Sequence, residues 1–109
     1  MEELFIGAEK EFSIPFEGKE YTFALKELSW LEVNKLLSKA VKITAKGLEI
    51  SIDTWYEEYL VASLTKAPWK LEETRLALKQ LKASFGALLE EYIPKPGAME
   101  SNLPFFGQK

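Results

Sequence analysis

Carboxylates, hydroxyls and amines are the side chains that could do acid–base or nucleophilic chemistry here, because the 109-residue chain has neither histidine nor cysteine. Without those two residues, Ser–His and Cys–His nucleophile pairs cannot form, and zinc loses its commonest ligands. Disulfides are excluded with the cysteines. A phosphate-cradling loop needs clustered glycines, and the six glycines are scattered. Paired carboxylates are left, in the doublets Glu57-Glu58, Glu72-Glu73 and Glu90-Glu91. Neighbours on a helix point about 100° apart, so each doublet reads as a solvated face and not as a two-carboxylate site. The expectation is a protein that is no enzyme, uses no metal and no cofactor, and works through surface contact.

The contact candidates fall into two groups. Lys35, Lys39, Lys42 and Lys46 are spaced four, three and four. On one continuous helix they would form a basic strip for an acidic partner or a nucleic-acid backbone, although an ordinary solvated face explains them as well. With a single arginine and a net charge of −3, nucleic acid is the less favoured partner. The apolar candidates are Trp30, Trp55 and Trp69, any of which could be core. Trp69 follows Pro68 in a connector, which makes it the best anchor of the three. Leu103-Pro104-Phe105-Phe106 lies in a polar C-terminal stretch and must dock either on its own domain or on a partner, since covering an aromatic ring gains about 1.5–3 kcal/mol. Leu4-Phe5-Ile6 poses the same question. Trp30, Trp69, Leu103, Phe105 and Phe106 are the expected partner contacts.

These residues need a scaffold, and composition allows one. A 47% hydrophobic content supports a core in a single domain. A domain of this size buries roughly two-thirds of its unfolded surface, so self-association would help it. No apolar stretch approaches the length of a membrane span, and the acidic start MEELFIGAEK does not read as a signal peptide, so a cytoplasmic location is expected. Asp53 is the only aspartate and Arg75 the only arginine. This lysine and glutamate bias fits a heat-loving source or the codon bias of an AT-rich genome.

The expected fold is α+β: an N-terminal β-hairpin packed on a small bundle of three to four helices within residues 1–97, with 98–109 as a flexible tail. The hairpin is read at about 10–26, where Glu17-Gly18 separates two alternating runs. Pairing Phe16 with Lys19 sets Ile14 against Tyr21 and Phe12 against Phe23, all on one face. A helix over 29–44 opens on the capping box of Ser29 and Glu32, with Leu28 and Val33 as a hydrophobic staple. Its apolar stripe is Trp30, Val33, Leu37, Ala40 and Val41. Leu48–Ile52 alternates as a short strand would, or as an extended approach to the next helix. That helix spans 53–66, capped by Asp53 or by Thr54 in a second capping box with Glu57, and stops before Pro68. Residues 71–93 carry the stripe Leu71, Leu78, Leu81, Phe85, Leu88 and Tyr92. They are best divided into two helices, the second capped by Ser84, because Gly86 costs about 1 kcal/mol inside a continuous one.

Taken in order, FSIPFEGKEYTF (Phe12–Phe23), KELSWLEVNKLL (Lys26–Leu37), ASLTKAPW (Ala62–Trp69) and FGALLEEYIPKPG (Phe85–Gly97) resemble the tail assembly chaperones of long-tailed bacteriophages and related proviruses. The likeness covers residues 10–97 and lies in the order and character of these segments. It implies a partner: the long helical tape measure protein, kept soluble while tail tube subunits polymerise around it in the host cytoplasm. It also implies self-association along that client and a second, longer form made by ribosomal frameshifting. The alternatives are a permanent viral accessory subunit and a small nucleic-acid-binding regulator using the lysine strip.

Overall fold

A computed structural model describes residue 4 and residues 6–95 of the chain. The α+β expectation holds. Strands β1 (Lys10–Phe16) and β2 (Lys19–Leu25) form the N-terminal hairpin, followed by helix α1 (Trp30–Ala40), strands β3 (Val41–Thr44) and β4 (Gly47–Ile50), and helix α2 (Ile52–Ser63). Strand β5 (Leu64–Lys66), a single 3₁₀ turn at Leu71–Glu73, and helices α3 (Thr74–Gln80) and α4 (Ala83–Glu90) complete the described chain. One antiparallel sheet has the order β1-β2-β5, and β3-β4 is a separate two-stranded ribbon.

The first hairpin has the register that its residue pattern demands, with Phe16 opposite Lys19, Ile14 opposite Tyr21 and Phe12 opposite Phe23. Glu17 (φ 51°) and Gly18 (φ 83°) both take positive φ, as a two-residue hairpin loop matched to strand twist requires. On the solvent face Ser13 and Thr22 share a hydrogen bond of 3.1 Å. On the other face the rings interlock. Phe85 of α4 meets Phe16 and Tyr21 edge-on, at centroid distances of 5.2 and 5.5 Å. Trp69 meets Phe23 edge-on at 5.5 Å, and Tyr92 stacks on Phe12. Aromatic contacts of this kind add about 0.5–1.5 kcal/mol each beyond their burial.

Helices α1 and α2 supply the rest of the core through Leu36, Leu37, Ala40, Trp55, Tyr59 and Leu60, all buried. The Trp55 indole N–H donates to the Pro94 carbonyl at 2.8 Å, pinning the chain beyond α4 to α2. Ser63, fully buried, donates its hydroxyl to the Tyr59 carbonyl at 2.7 Å. The α1 capping box is formed in both directions, by Ser29 Oγ and Glu32 Oε1. That backbone donor at Ser29 holds the Glu32 carboxyl below the usual range.

Four expectations about element ends are corrected. Helix α1 stops at Ala40, not at residue 44, because Val41-Lys42-Ile43-Thr44 runs on as strand β3. Three of those four residues are β-branched, a poor continuation for a helix and a good one for a strand. Helix α2 is capped by Ser51, whose hydroxyl accepts from the Thr54 N–H, not by Asp53 or Thr54. It ends at Ser63, and Leu64–Lys66 extend to pair with β2. The region 71–93 does divide in two, but the α4 N-cap is Lys82 and Ser84 lies inside the helix, with no side-chain cap.

Glu17 is the one described non-glycine residue at positive φ, where asparagine is far more at ease. Its exposed pairing with Lys82 at 3.3 Å contributes little. Glu17→Asn should therefore raise stability by about 0.5 kcal/mol, read as a higher denaturation midpoint. A lower midpoint would show that the Lys82 pair outweighs the turn.

Candidate partner-binding surface

The segment between α1 and α2 folds as an amphipathic ribbon. Its register sets Val41 opposite Ile50 and Ile43 opposite Leu48. Side chains alternate along a strand, so these four share one face. Lys42 and Glu49 pair on the other face. Thr44 closes the turn: its hydroxyl accepts from the Lys46 N–H and donates to the Gly47 carbonyl, both at 3.1 Å. Gly47 takes φ +112°, which spares Ala45 and Lys46 any left-handed strain. At the base, the Ser51 N–H donates to the Ala40 carbonyl at 2.7 Å. Val41 and Ile50 are half-buried there, whereas Ile43 and Leu48 nearer the turn are 87% and 67% exposed.

A second apolar patch lies at the start of α1. Trp30 is 74% and Leu31 55% exposed. Trp30 therefore stands in water, as a contact residue would, and leaves the core stripe to Leu36. Trp69 behaves differently. It is half-buried and fixed from two sides, by the Phe23 ring and by its indole N–H donated to Thr74 Oγ1 at 3.1 Å. It also lines an aromatic groove of about 310 Å³ with Phe16, Tyr21, Pro68 and Phe85. Trp55, the third tryptophan, is wholly core.

The continuous lysine strip does not form. Lys35 and Lys39 lie one turn apart on α1, but Lys42 belongs to β3 and Lys46 to the ribbon turn. Lys39 also pairs with Glu58 at 3.4 Å. Leu103, Phe105 and Phe106 lie outside the described residues. Ile43 and Leu48, the most exposed apolar pair that the register brings together, were missing from the expected contacts. The alternation from Leu48 was read as a possible strand, but its partner Val41–Thr44 was absorbed into the helical stripe of residues 30–41, so the pair was not seen.

Comparison with known protein families, with characterised proteins and with solved structures finds no match to this chain. The surface must therefore be read on its own chemistry. Among the described residues no group of carboxylates is placed to hold a metal ion, and no helix is long and apolar enough to cross a membrane. The densest ionic cluster among the described residues is Arg75 with Glu57 and Glu58, at 3.0 and 2.7 Å, joining α3 to α2. Hydrogen bonds from Arg75, ahead of the opposing effect of burial, hold the Glu58 carboxyl below its ordinary range. The same contacts push the guanidinium further up. Each of these groups has its partners, and the cluster reads as a clasp between helices.

A carboxyl depressed in the fold stabilises it above the unfolded-state value of about 4.3 and ceases to do so as pH falls through the lower folded value. Arg75→Gln should therefore cost about 1 kcal/mol or less at neutral pH, since Arg75 is half exposed. The gap between variant and parent should close as pH drops below about 4. Denaturant titrations at several pH values check it; a gap that persists in acid would assign the loss to packing.

Proposed function

We propose that this chain is an assembly chaperone of the kind it resembles, shielding the apolar face of a helical client such as a tape measure protein in the host cytoplasm. The observation that carries this reading is the paired, solvent-facing Ile43 and Leu48 on a ribbon anchored at its base by the Ser51–Ala40 hydrogen bond. A two-stranded ribbon is marginal alone in water, and each large apolar side chain gains about 1.5–3 kcal/mol on being covered. An amphipathic helix fits such a surface, because side chains at i, i+3, i+4 and i+7 form one stripe that can lie across the two strands. Lys42 and Glu49 put charge of both signs on the opposite face of the ribbon, and Lys46 adds a positive charge at its turn. Trp30 and Leu31 provide a second apolar patch, and exposed tryptophan is a residue type that dominates binding energy. A contact built on so few apolar groups is reversible, as suits a protein that must leave when tube subunits arrive.

Co-expression with a tape measure protein should keep that client soluble. The double variant Ile43→Ser/Leu48→Ser should lose this effect, with its own stability changed by no more than about 0.5 kcal/mol because both sites are exposed. A client that precipitates equally with and without the parent chain rules out the chaperone reading. A double variant that protects as well as the parent rules out the ribbon as the surface.

A further inference from the structure

The groove of about 310 Å³ beside the first hairpin joins four aromatic rings, those of Phe16, Tyr21, Trp69 and Phe85, to one carboxylate, Glu17, and one ammonium, Lys82. We propose that it binds the trimethylammonium group of a small soluble molecule, of the kind choline carries, in place of the Lys82 ammonium.

Three observations favour this ligand. The first is the arrangement of the walls. Phe16 and Tyr21 are diagonal neighbours on one face of the hairpin, and both rings stand at right angles to Phe85, at 89° and 90°. Rings crossed in this way make corners, and a corner meets a cation from more than one side. Trp69 is fixed by Phe23 and Thr74, so little side-chain freedom is left to lose on binding. The second is that the groove already draws a cation. Lys82 Nζ lies over the Phe16 ring, 5.9 Å from its centroid, so that ring turns its electron-rich face to the rim. The third is how weakly this cation is held. Both Glu17 carboxylate oxygens accept from Lys82 Nζ at 3.3 Å, but the two side chains are about two-thirds exposed, and such a pair contributes little. A lysine ammonium is compact and strongly hydrated, which keeps it at the rim. A trimethylammonium group spreads its charge over methyl groups that gain from burial against rings. Glu17 then faces a positive charge as before. The volume lies at the small end of the roughly 300–1,000 Å³ typical of ligand pockets, which suits a small molecule.

The groove shares no residue with the ribbon, so the test needs no helical client. The isotope-labelled full-length chain is titrated by NMR, at constant ionic strength, with choline and in parallel with dimethylbutanol, its uncharged carbon isostere. Choline should shift the Trp69 indole N–H and the amides of Phe16, Tyr21 and Phe85 saturably, in the millimolar range. The alcohol should bind about tenfold more weakly, because it lacks the cation–π attraction. Lys82→Gln, at an exposed site, should bind choline about twofold more tightly or better, because the resident cation is gone. Equal affinity for choline and the alcohol overturns the proposal, since the groove is then merely apolar. Shifts centred on the ribbon, no saturable shift, or weaker choline binding by Lys82→Gln overturn it too. Pelleting of the chain with phosphatidylcholine vesicles, reversed by free choline, also overturns it, because the ligand is then a lipid headgroup.

Discussion

Burial of one face of the β1–β2 hairpin is the constraint on which the rest of the structure depends. Two strands alone would be marginal in water. Phe85 closes over Phe16, Tyr21 and Phe23, and Trp69 over Phe23, so the hairpin and α4 hold each other in place. Strand β5 extends that sheet directly from the end of α2, which lays α2 against it and brings Trp55 to the Pro94 carbonyl. Helix α1 then packs along α2 through Leu36, Leu37 and Ala40.

The ribbon stands apart from this economy. Val41 and Ile50 touch the body, but Ile43 and Leu48 have nothing described over them. Segments with few buried apolar contacts open more readily than the core they hang from, and binding surfaces are drawn from such segments. The contrast between Trp55 and Trp30 makes the same point within one residue type. The former is enclosed and hydrogen-bonded; the latter is spent in water at the first position of a helix. Ile43 with Leu48, and Trp30 with Leu31, are apolar pairs that the core leaves in water.

Much of the core was legible from sequence. The hairpin register followed from alternation plus a Glu-Gly turn, because a slip of one residue would turn every aromatic outward. The α1 start was legible because its capping box is reciprocal and local. The α1 end was not. Ala40 and Val41 continue the helical spacing, and only β-branching at Val41, Ile43 and Thr44, with Gly47 beyond, signalled the change of period. That one misreading put the first strand of the ribbon into α1, set Lys42 and Lys46 on the same helix as Lys35 and Lys39, and left Leu48 in an alternating segment with no partner strand. Ser51 was passed over as a cap because Thr54 and Glu57 offered a capping box of the right spacing; spacing does not say which hydroxyl meets the backbone. Trp30 showed the limit of a stripe: its position fitted the apolar face, but the first turn of a helix can overhang the core it leads to.

Hydrogen–deuterium exchange on the chain with and without a helical client tests the central claim most directly. Surface contact through the ribbon predicts that amides of residues 41–50 gain protection when the client is present, while those of β1 and β2, already shielded, change little. A client held in solution with the exchange of residues 41–50 unaltered would contradict the account.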